Sequence, residues 1–539
     1  MKSNIKKSLF IASLGALLAT TSCSESFLDE EVYSTLTPQS LTNKLGFEAA
    51  LVGLYQMEST FYTQSNDQGY LCVWQAGTDI TWPVQPQGIE RPYYHYNELE
   101  SNDNAARITW SLYYNIIENA NSIIKSVSTT DVADMTEEEE LFVEGEAKFF
   151  RALAYNKLAT LYGGVPLITE PVTTPRVDFV RAPLSEVNAL IESDLTFATT
   201  NLPAPGQVAG RKEGRITKYT AHHLFSEFYL RANQPALAEA QADAVISSNA
   251  FSLVDTRYGV KAQQPGDPFS DMFFKGNQRR SQGNSETLWT LENENPSDVR
   301  GGSTGNPQQR RVWGAAYHNI NGMIPADSLG GRGIARMRLN NWVIYNLYDN
   351  TDMRNSKYNL HRRFHYNNPA PQFAAIYGQE VPYTGSDTLW NIPPYTLKWG
   401  QYDSRDVFGF GMWKDFILMR LGETYLFKAE AQFKQGNLAG AAETINALRT
   451  RANAPQVAAS DITLDFILDE RVRELLAEEN RRMTLMRTGT LVQRATLHNP
   501  EPQAQIQGLT STHLLFPIPL SEIQLNTGAV LEQNPGYEN

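Results

Sequence analysis

Cysteine is almost absent from this chain, which has only Cys23 and Cys72 among its 539 residues. Two cysteines are too few for a disulfide-rich scaffold or for a zinc site with four cysteine ligands. Positive charge is also scarce, because 46 Lys and Arg residues face 59 Asp and Glu residues, giving a formal net charge of −13. Proteins that bind nucleic acid neutralise phosphates with Lys and Arg, so this charge argues against a nucleic-acid partner.

The common catalytic motifs are missing as well. The sequence contains no P-loop, no dinucleotide-binding fingerprint and no EF-hand loop. Residues 301–305 match G-x-S-x-G, but their polar flanks lack the strand and the helix that a nucleophile elbow needs. His361 and His365 have neither a third zinc ligand nor a general base beside them. We therefore expect a non-enzymatic protein without a cofactor, and a glycoside hydrolase with two distant carboxylates is the alternative.

The N-terminus has the pattern of a secreted lipoprotein. Three lysines among the first seven residues precede an apolar run at residues 9–19, which is shorter than the about 20 residues that a membrane span needs. Cys23 follows at the place of a lipidated cysteine, although Thr20 stands where such motifs usually carry an aliphatic residue. We predict that residues 1–22 are a signal peptide and that lipid on Cys23 anchors the mature chain to a membrane. Ordinary secretion is the alternative.

Helical periodicity dominates residues 23–539, which we interpret as a single mainly α-helical domain. Apolar residues recur at helical spacing over residues 104–126. Thr136 and Glu139 have the spacing of a capping box, which predicts a helix from there to about Leu161.

Two segments of the chain resemble each other. Residues 420–452 and 219–247 have small and apolar residues at the same distances from Gly436 and Asn233, respectively. This pattern resembles the tetratricopeptide helix pair. Such pairs need stacked neighbours, and the helical segment at residues 184–201 is a suitable one.

Three long stretches interrupt the helical pattern, at residues 59–100, 255–336 and 350–411. They are rich in Gly, Pro, Asn, Gln and aromatic residues. Loops of this length in a compact domain are usually functional. We therefore interpret these stretches as loop-rich insertions that form a binding face on a helical scaffold.

Aromatic residues are concentrated in the first insertion, where eight of residues 60–100 are aromatic. An aromatic ring stacks on the apolar face of a sugar, while polar neighbours bind its hydroxyl groups. The predicted ligand-binding residues of the first and second insertions are Trp74, Asp79, Trp82, Arg311, Trp313 and Tyr317. The alternative is that such aromatic side chains pack the loops onto the scaffold, as we expect for Trp289 in its short alternating run.

Short blocks along the whole chain form a recognisable series. They include CSESFLD at residues 23–29, GEAKFFRA at residues 145–152 and FPIPLSE at residues 516–522. The others lie at residues 110–121, 162–167, 214–218, 420–452, 469–475 and 533–537. In this order the blocks resemble the SusD/RagB family of outer-membrane nutrient-binding lipoproteins.

The resemblance implies a mainly α-helical, SusD-like fold in which tetratricopeptide-like pairs support the loops. It also implies a cell-surface protein of the outer membrane that captures an oligosaccharide or polysaccharide, or in some members a peptide. Such a protein passes its ligand, without chemistry, to a SusC-like TonB-dependent transporter. The blocks are scaffold motifs, so they predict fold, location and partner but no ligand contacts. The net charge of −13 favours a neutral glycan over an anionic one.

Overall fold

The computed structural model describes residues 41–63, 68–84, 88–130, 132–300, 307–384, 388–499 and 506–538. Cys23, the predicted signal peptide and the G-x-S-x-G match at residues 301–305 lie outside these ranges. Within them, no helix combines the length and the apolar character that crossing a membrane requires.

Helices dominate the described chain, and the predicted mainly α-helical fold class is confirmed. Helices in folded proteins are stabilised chiefly by packing of their apolar faces. In chain order they are α1 Lys44–Thr63, α2 Gln68–Val73, α3 Asn104–Thr129, α4 Glu137–Tyr162, α5 Leu184–Asn201, α6 Lys218–Arg231, α7 Pro235–Ile246, α8 Pro268–Asp271, α9 Gln309–Trp313, α10 Leu421–Lys434, α11 Leu438–Arg451, α12 Leu464–Leu475, α13 Arg481–Arg487, α14 Leu491–His498 and α15 Leu520–Leu525.

The strands are short and form three antiparallel two-stranded ladders, in which β1 pairs with β3, β2 with β6, and β4 with β5. They are β1 Thr81–Pro83, β2 Thr287–Leu291, β3 Met337–Leu339, β4 Leu360–His361, β5 Tyr395–Thr396 and β6 Phe416–Arg420. One π-helical turn covers Trp342–Asn346. The β1–β3 ladder joins the first insertion to the segment that follows the second, the β2–β6 ladder joins the second insertion to the segment before α10, and the β4–β5 ladder lies within the third insertion.

Helix α4 begins at the predicted capping box. The Thr136 hydroxyl oxygen accepts a hydrogen bond from the Glu139 backbone N–H at 3.2 Å, and a Glu139 carboxylate oxygen accepts one from the Thr136 N–H at 3.0 Å. These two bonds satisfy donors that a helix N-terminus otherwise leaves without partners. The helix ends at Tyr162, before Gly163 with a positive φ of 76°.

The two predicted helix pairs are confirmed. Helices α6 and α7 form one pair and α10 and α11 the other, and the turns between them contain Asn233 with φ 56° and Gly436 with φ 78°. A left-handed backbone conformation at this point favours Gly or Asn, which explains the residue types at the two turns. Helix α7 packs on α10, so the pairs stack, and α3, α4 and α5 extend the stack on the other side of α6.

The strand β2 lies against this stack and carries Trp289 into the core. The Trp289 ring is buried and makes edge contacts with Tyr55, Phe149 and Phe150 at centroid distances of 5.9 to 6.2 Å. The prediction that Trp289 is a core residue is therefore confirmed.

Buried cationic side chains hold the loops in place. Arg482 of α13 donates hydrogen bonds to the backbone carbonyl oxygens of Val73, Ala76 and Tyr93 at 2.5 to 3.0 Å. Each of these carbonyl groups is in the first insertion and needs a donor, because a buried carbonyl without a partner is costly. Among the described residues, other cationic side chains that donate to three backbone carbonyl groups include Arg181, Arg280, Arg310 and Lys414.

Candidate functional site

The structure places Trp74 in the core. Its side chain is 3% exposed and stacks on Phe516 at a centroid distance of 5.9 Å and an interplanar angle of 18°. It also packs 4.9 Å from Phe61 of α1, the helix that continues to Thr63 into the first insertion. A ring that is covered on its faces cannot stack on a sugar, so the predicted ligand contact is wrong for Trp74 in this structure.

Asp79 is also structural. Its carboxylate is fully buried and accepts hydrogen bonds from Arg481 at 2.8 and 2.6 Å and from Arg494 at 2.7 Å. Burial alone would raise the pKa of Asp79, but the two guanidinium groups outweigh it and lower the pKa well below its usual range. This carboxylate ties the first insertion to α13 and α14, and the predicted ligand contact is corrected.

Trp82 lies on β1, opposite Arg338 of β3. Its ring packs with Tyr94, Leu389 and Ile506 in a small cluster, and the Arg338 guanidinium lies 5.9 Å from the ring centroid. The side chain is buried, so the prediction of a stacking platform is wrong for Trp82 as well.

Trp313 and Tyr317 pack under the second insertion. Trp313 ends α9 and belongs to a buried cluster with Val312 and Met337. The Tyr317 hydroxyl donates a hydrogen bond to the Gly331 carbonyl at 2.8 Å and accepts one from the Ala326 N–H at 3.1 Å. Both rings are buried, and the predicted ligand contact is corrected for both.

Arg311 is the predicted residue that remains next to an exposed aromatic ring. Its guanidinium carbon lies 4.3 Å from the centroid of Phe410, and the whole residue is 9% exposed. Its described hydrogen bond runs from Nη1 to the Gln308 side-chain oxygen at 2.8 Å.

Exposed aromatic side chains of the described chain occur in one region, residues 345–410. The five that are at least 42% exposed are Tyr345, Tyr377, Tyr383, Phe408 and Phe410. Four of them belong to the third insertion, and Tyr345 precedes it by a few residues. Large aromatic residues are mostly buried in proteins, so a concentration of exposed rings on one insertion marks a contact surface.

Tyr345 and Tyr383 are held close together by Arg362. The Arg362 side chain donates to the Ile344 carbonyl at 2.8 and 3.2 Å, which positions the residue next to Tyr345. The Tyr383 hydroxyl donates to the backbone carbonyl of Arg362 itself. Burial raises the pKa of Tyr383, and the neighbouring Tyr345 adds to the shift. The Tyr383 phenol is therefore neutral at neutral pH, on a ring that is 42% exposed, and the neighbouring Tyr345 ring is 64% exposed.

The π-helical turn presents Tyr345 and also Trp342, which the sequence analysis missed. Trp342 is half-buried and stacks on His498 at a centroid distance of 4.0 Å and an angle of 24°. Its indole N–H donates to the Asp79 carbonyl group. Single π-helical turns are rare and often occur at functional sites.

The second exposed group is the Phe408-Gly409-Phe410 turn. Phe408 is 57% and Phe410 51% exposed, and Arg310 fixes the turn by donating to the Gly409 carbonyl at 2.6 Å. Residues 401–406, which precede this motif, are mostly polar. Two phenylalanines beside a polar stretch were the signal in the sequence that would have identified Phe408 and Phe410 as surface residues.

The exposed rings are suited to binding by stacking and hydrogen bonding. Their exposed parts can contact the apolar face of a sugar, and the tyrosine hydroxyls are hydrogen-bonding groups. Among the described residues, no three His, Cys, Asp or Glu side chains gather in a way that could hold a metal ion.

The contrast between Trp74 and Tyr345 gives a prediction about stability. Trp74→Ala removes a packed core ring and should lower the free energy of unfolding by about 3–5 kcal/mol. Tyr345→Ala removes an exposed ring and should change it by no more than about 0.5 kcal/mol. Urea unfolding of both variants beside the unmodified protein measures the difference. An equal loss in the two variants would contradict this assignment of core and surface.

Comparison with known families gives matches along nearly the whole chain. A family model described as the SusD family matches residues 269–537, and one described as starch-binding associating with outer membrane matches residues 26–230. SusD-like protein P25 of Formosa agariphila is 26% identical over an alignment that covers 96% of this chain and 97% of that protein.

Solved structures share the fold. A laminarin binding SusD-like protein superposes with a TM-score of 0.68 at 22% identity, covering 92% of this chain and all of that chain. A surface glycan-binding protein A from Bacteroides fluxus has a TM-score of 0.68 at 19% identity, with the same coverage. The family models, the full-length relative and the shared fold agree with the sequence blocks, and the chain belongs to the SusD/RagB family.

Proposed function

We propose that this protein captures an oligosaccharide or polysaccharide at the cell surface and does not alter it chemically. The observation that carries the proposal is the group of exposed aromatic rings at residues 345–410. The names of relatives support it, since one structural neighbour is described as laminarin binding and another as a surface glycan-binding protein.

The tyrosine pair is the proposed stacking platform. Tyr345 and Tyr383 are close to each other, and Arg362 anchors both through backbone carbonyl groups. A fixed pair of rings loses little conformational freedom when a sugar binds, which favours affinity. A shallow surface of this kind gives modest affinity, and tethering beside a transporter would raise the effective concentration of the captured glycan.

The glycan-binding prediction concerns this pair. The double variant Tyr345→Ala/Tyr383→Ala should weaken binding of the preferred polysaccharide at least about 10-fold, because each lost stacking contact costs about 0.5–1.5 kcal/mol or more. Affinity gel electrophoresis of the detergent-solubilised full-length protein, against a panel of neutral and acidic polysaccharides, measures the change.

Leu45→Ala is the control for that experiment, because it removes a side chain that is 79% exposed on α1, outside the insertions. It should bind as the unmodified protein does. Unchanged binding by the tyrosine double variant would refute this platform, and the absence of binding to any polysaccharide would refute the proposed function. Release of shortened sugars during incubation would instead indicate an enzyme.

The proposed location is the outer membrane, with the mature chain anchored through lipid on Cys23. The description of the family model that matches residues 26–230 names association with the outer membrane. Cys23→Ser should move the protein from the membrane pellet to the soluble fraction, because the lipid chains supply the membrane affinity. Cell fractionation and immunoblotting test this, and a variant that stays in the pellet would contradict the anchor.

The proposed partner is a SusC-like TonB-dependent transporter, as the family membership suggests. Mild detergent extraction of native outer membranes, followed by affinity purification of this protein, should recover such a transporter in about equal amount. A preparation that consistently lacks any transporter would contradict the partnership.

A further inference from the structure

Three arginines and one histidine lie beneath the exposed Phe408-Gly409-Phe410 turn. We call Arg310, Arg311, Arg332 and His318 the arginine patch. The guanidinium carbons of Arg311 and Arg332 lie 4.3 and 5.1 Å from the centroid of the Phe410 ring. The His318 ring lies 6.2 Å from that of Phe408.

The three arginines differ in how their donors are used. Arg310 donates to three backbone carbonyl groups, so it is a structural residue. Arg332 donates to the Phe408 carbonyl at 2.6 Å and to His318 Nε2 at 3.4 Å. Arg311 has its Nη1 bond to Gln308, while its buried Nε–H has no partner among the described residues.

Most buried arginines elsewhere in the described chain, though not Arg482, pair with carboxylates, whereas the arginines of the patch do not. Arg354, for example, pairs with Asp352, Glu470 and Glu474 at 2.8 to 3.0 Å. No carboxylate of the described residues forms an ion pair with Arg310, Arg311 or Arg332.

The nearest acidic residues do not neutralise the patch. Asp403 is paired with Arg405 at 2.7 Å, and Asp406 is exposed. Both act electrostatically on Arg310, the structural member of the patch. The negative charge of these two carboxylates therefore acts on Arg310, whose donors already bind backbone carbonyl groups.

Electrostatics within the patch is repulsive. Burial, together with Arg332, Arg310 and Arg336, lowers the pKa of Arg311 to about 10. Burial, with Arg332 and Arg311, lowers the pKa of His318 to about 4, so this imidazole is neutral at neutral pH. Because His318 Nε2 accepts from Arg332, its proton is on Nδ1, which is buried without an acceptor among the described residues.

Two donors of the patch, Arg311 Nε–H and His318 Nδ1–H, therefore have no acceptor among the described residues, and the guanidinium groups repel one another. Unsatisfied buried donors and uncompensated charges are costly, and such arrangements are enriched at functional sites. A ligand that carries negative charge and only accepts hydrogen bonds would remove both costs.

We infer that the arginine patch binds an anionic substituent of the captured glycan, either a uronate carboxylate or a sulfate ester, while Phe408 and Phe410 contact the adjoining sugar ring. This inference rests on the proposed function. It also revises the expectation of a neutral ligand, because the net charge of −13 describes the whole chain and the patch is locally positive.

Matched pairs of polymers test the inference. The full-length protein in detergent is run in affinity gels that contain dextran or dextran sulfate, and highly methyl-esterified pectin or polygalacturonate. The protein should bind an acidic member more tightly than its neutral counterpart. Arg311→Gln should lower that affinity about 10-fold or more, since a hydrogen bond to a charged group contributes about 1.5–3 kcal/mol. Selective binding of dextran sulfate indicates a sulfate ester, and selective binding of polygalacturonate indicates a carboxylate.

Arg107→Gln is the matched control, because it removes one exposed positive charge from α3 and should leave binding unchanged. Circular dichroism checks that Arg311→Gln is folded, and the half-buried Arg332→Gln is the second variant, with the same expected loss. An equal loss in Arg107→Gln, or full affinity in both patch variants, overturns the inference. Equal binding of neutral and acidic polymers also overturns it but leaves the proposed function intact, whereas no binding to any polymer refutes both.

Discussion

Long loops bring many backbone carbonyl groups into the interior without the strand ladders that would satisfy them. Here buried cationic side chains take the place of those ladders. Arg482 supplies donors to three carbonyl groups of the first insertion, and Lys414 does the same for Phe273, Lys398 and Gly400. Since a charged donor makes a stronger hydrogen bond than a neutral one, a single side chain can fix several segments of a loop at once. The positions of the insertions depend on these hydrogen bonds from buried cationic side chains to backbone carbonyl groups.

The same constraint separates structural arginines from those available to a ligand. Arg310 and Arg311 are neighbours in sequence on α9, yet Arg310 uses its donors on backbone carbonyl groups, whereas Arg311 Nε–H has no partner in the part of the chain that the structure describes. Near Tyr345 and Tyr383, the Arg362 side chain binds the π-helical turn, and the Arg362 carbonyl group accepts a hydrogen bond from Tyr383. In both places, an arginine donates hydrogen bonds to backbone carbonyl groups and thereby positions aromatic rings at the surface. Rigid support of this kind lowers the entropy cost of binding.

The scaffold could be predicted from the sequence because its signals are local. The capping box at Thr136 and the turns at Asn233 and Gly436 act within a few residues, and the structure confirms them. The ligand residues could not be predicted in the same way, because exposure of a ring depends on segments distant in the chain. Trp74 stacks on Phe516, more than four hundred residues away, whereas Tyr345 is 64% exposed. Aromatic density in residues 60–100 led us to identify packing residues as ligand contacts.

Anchoring through the backbone has an evolutionary consequence. Arg310 contacts the Gly409 turn through the backbone carbonyl group, and Arg362 likewise contacts Ile344. The side chains that flank these positions carry no part of the anchor, so they can be exchanged without releasing the loop. A family member built in this way can acquire specificity for a new nutrient through substitutions at the loop tips, at little cost to folding.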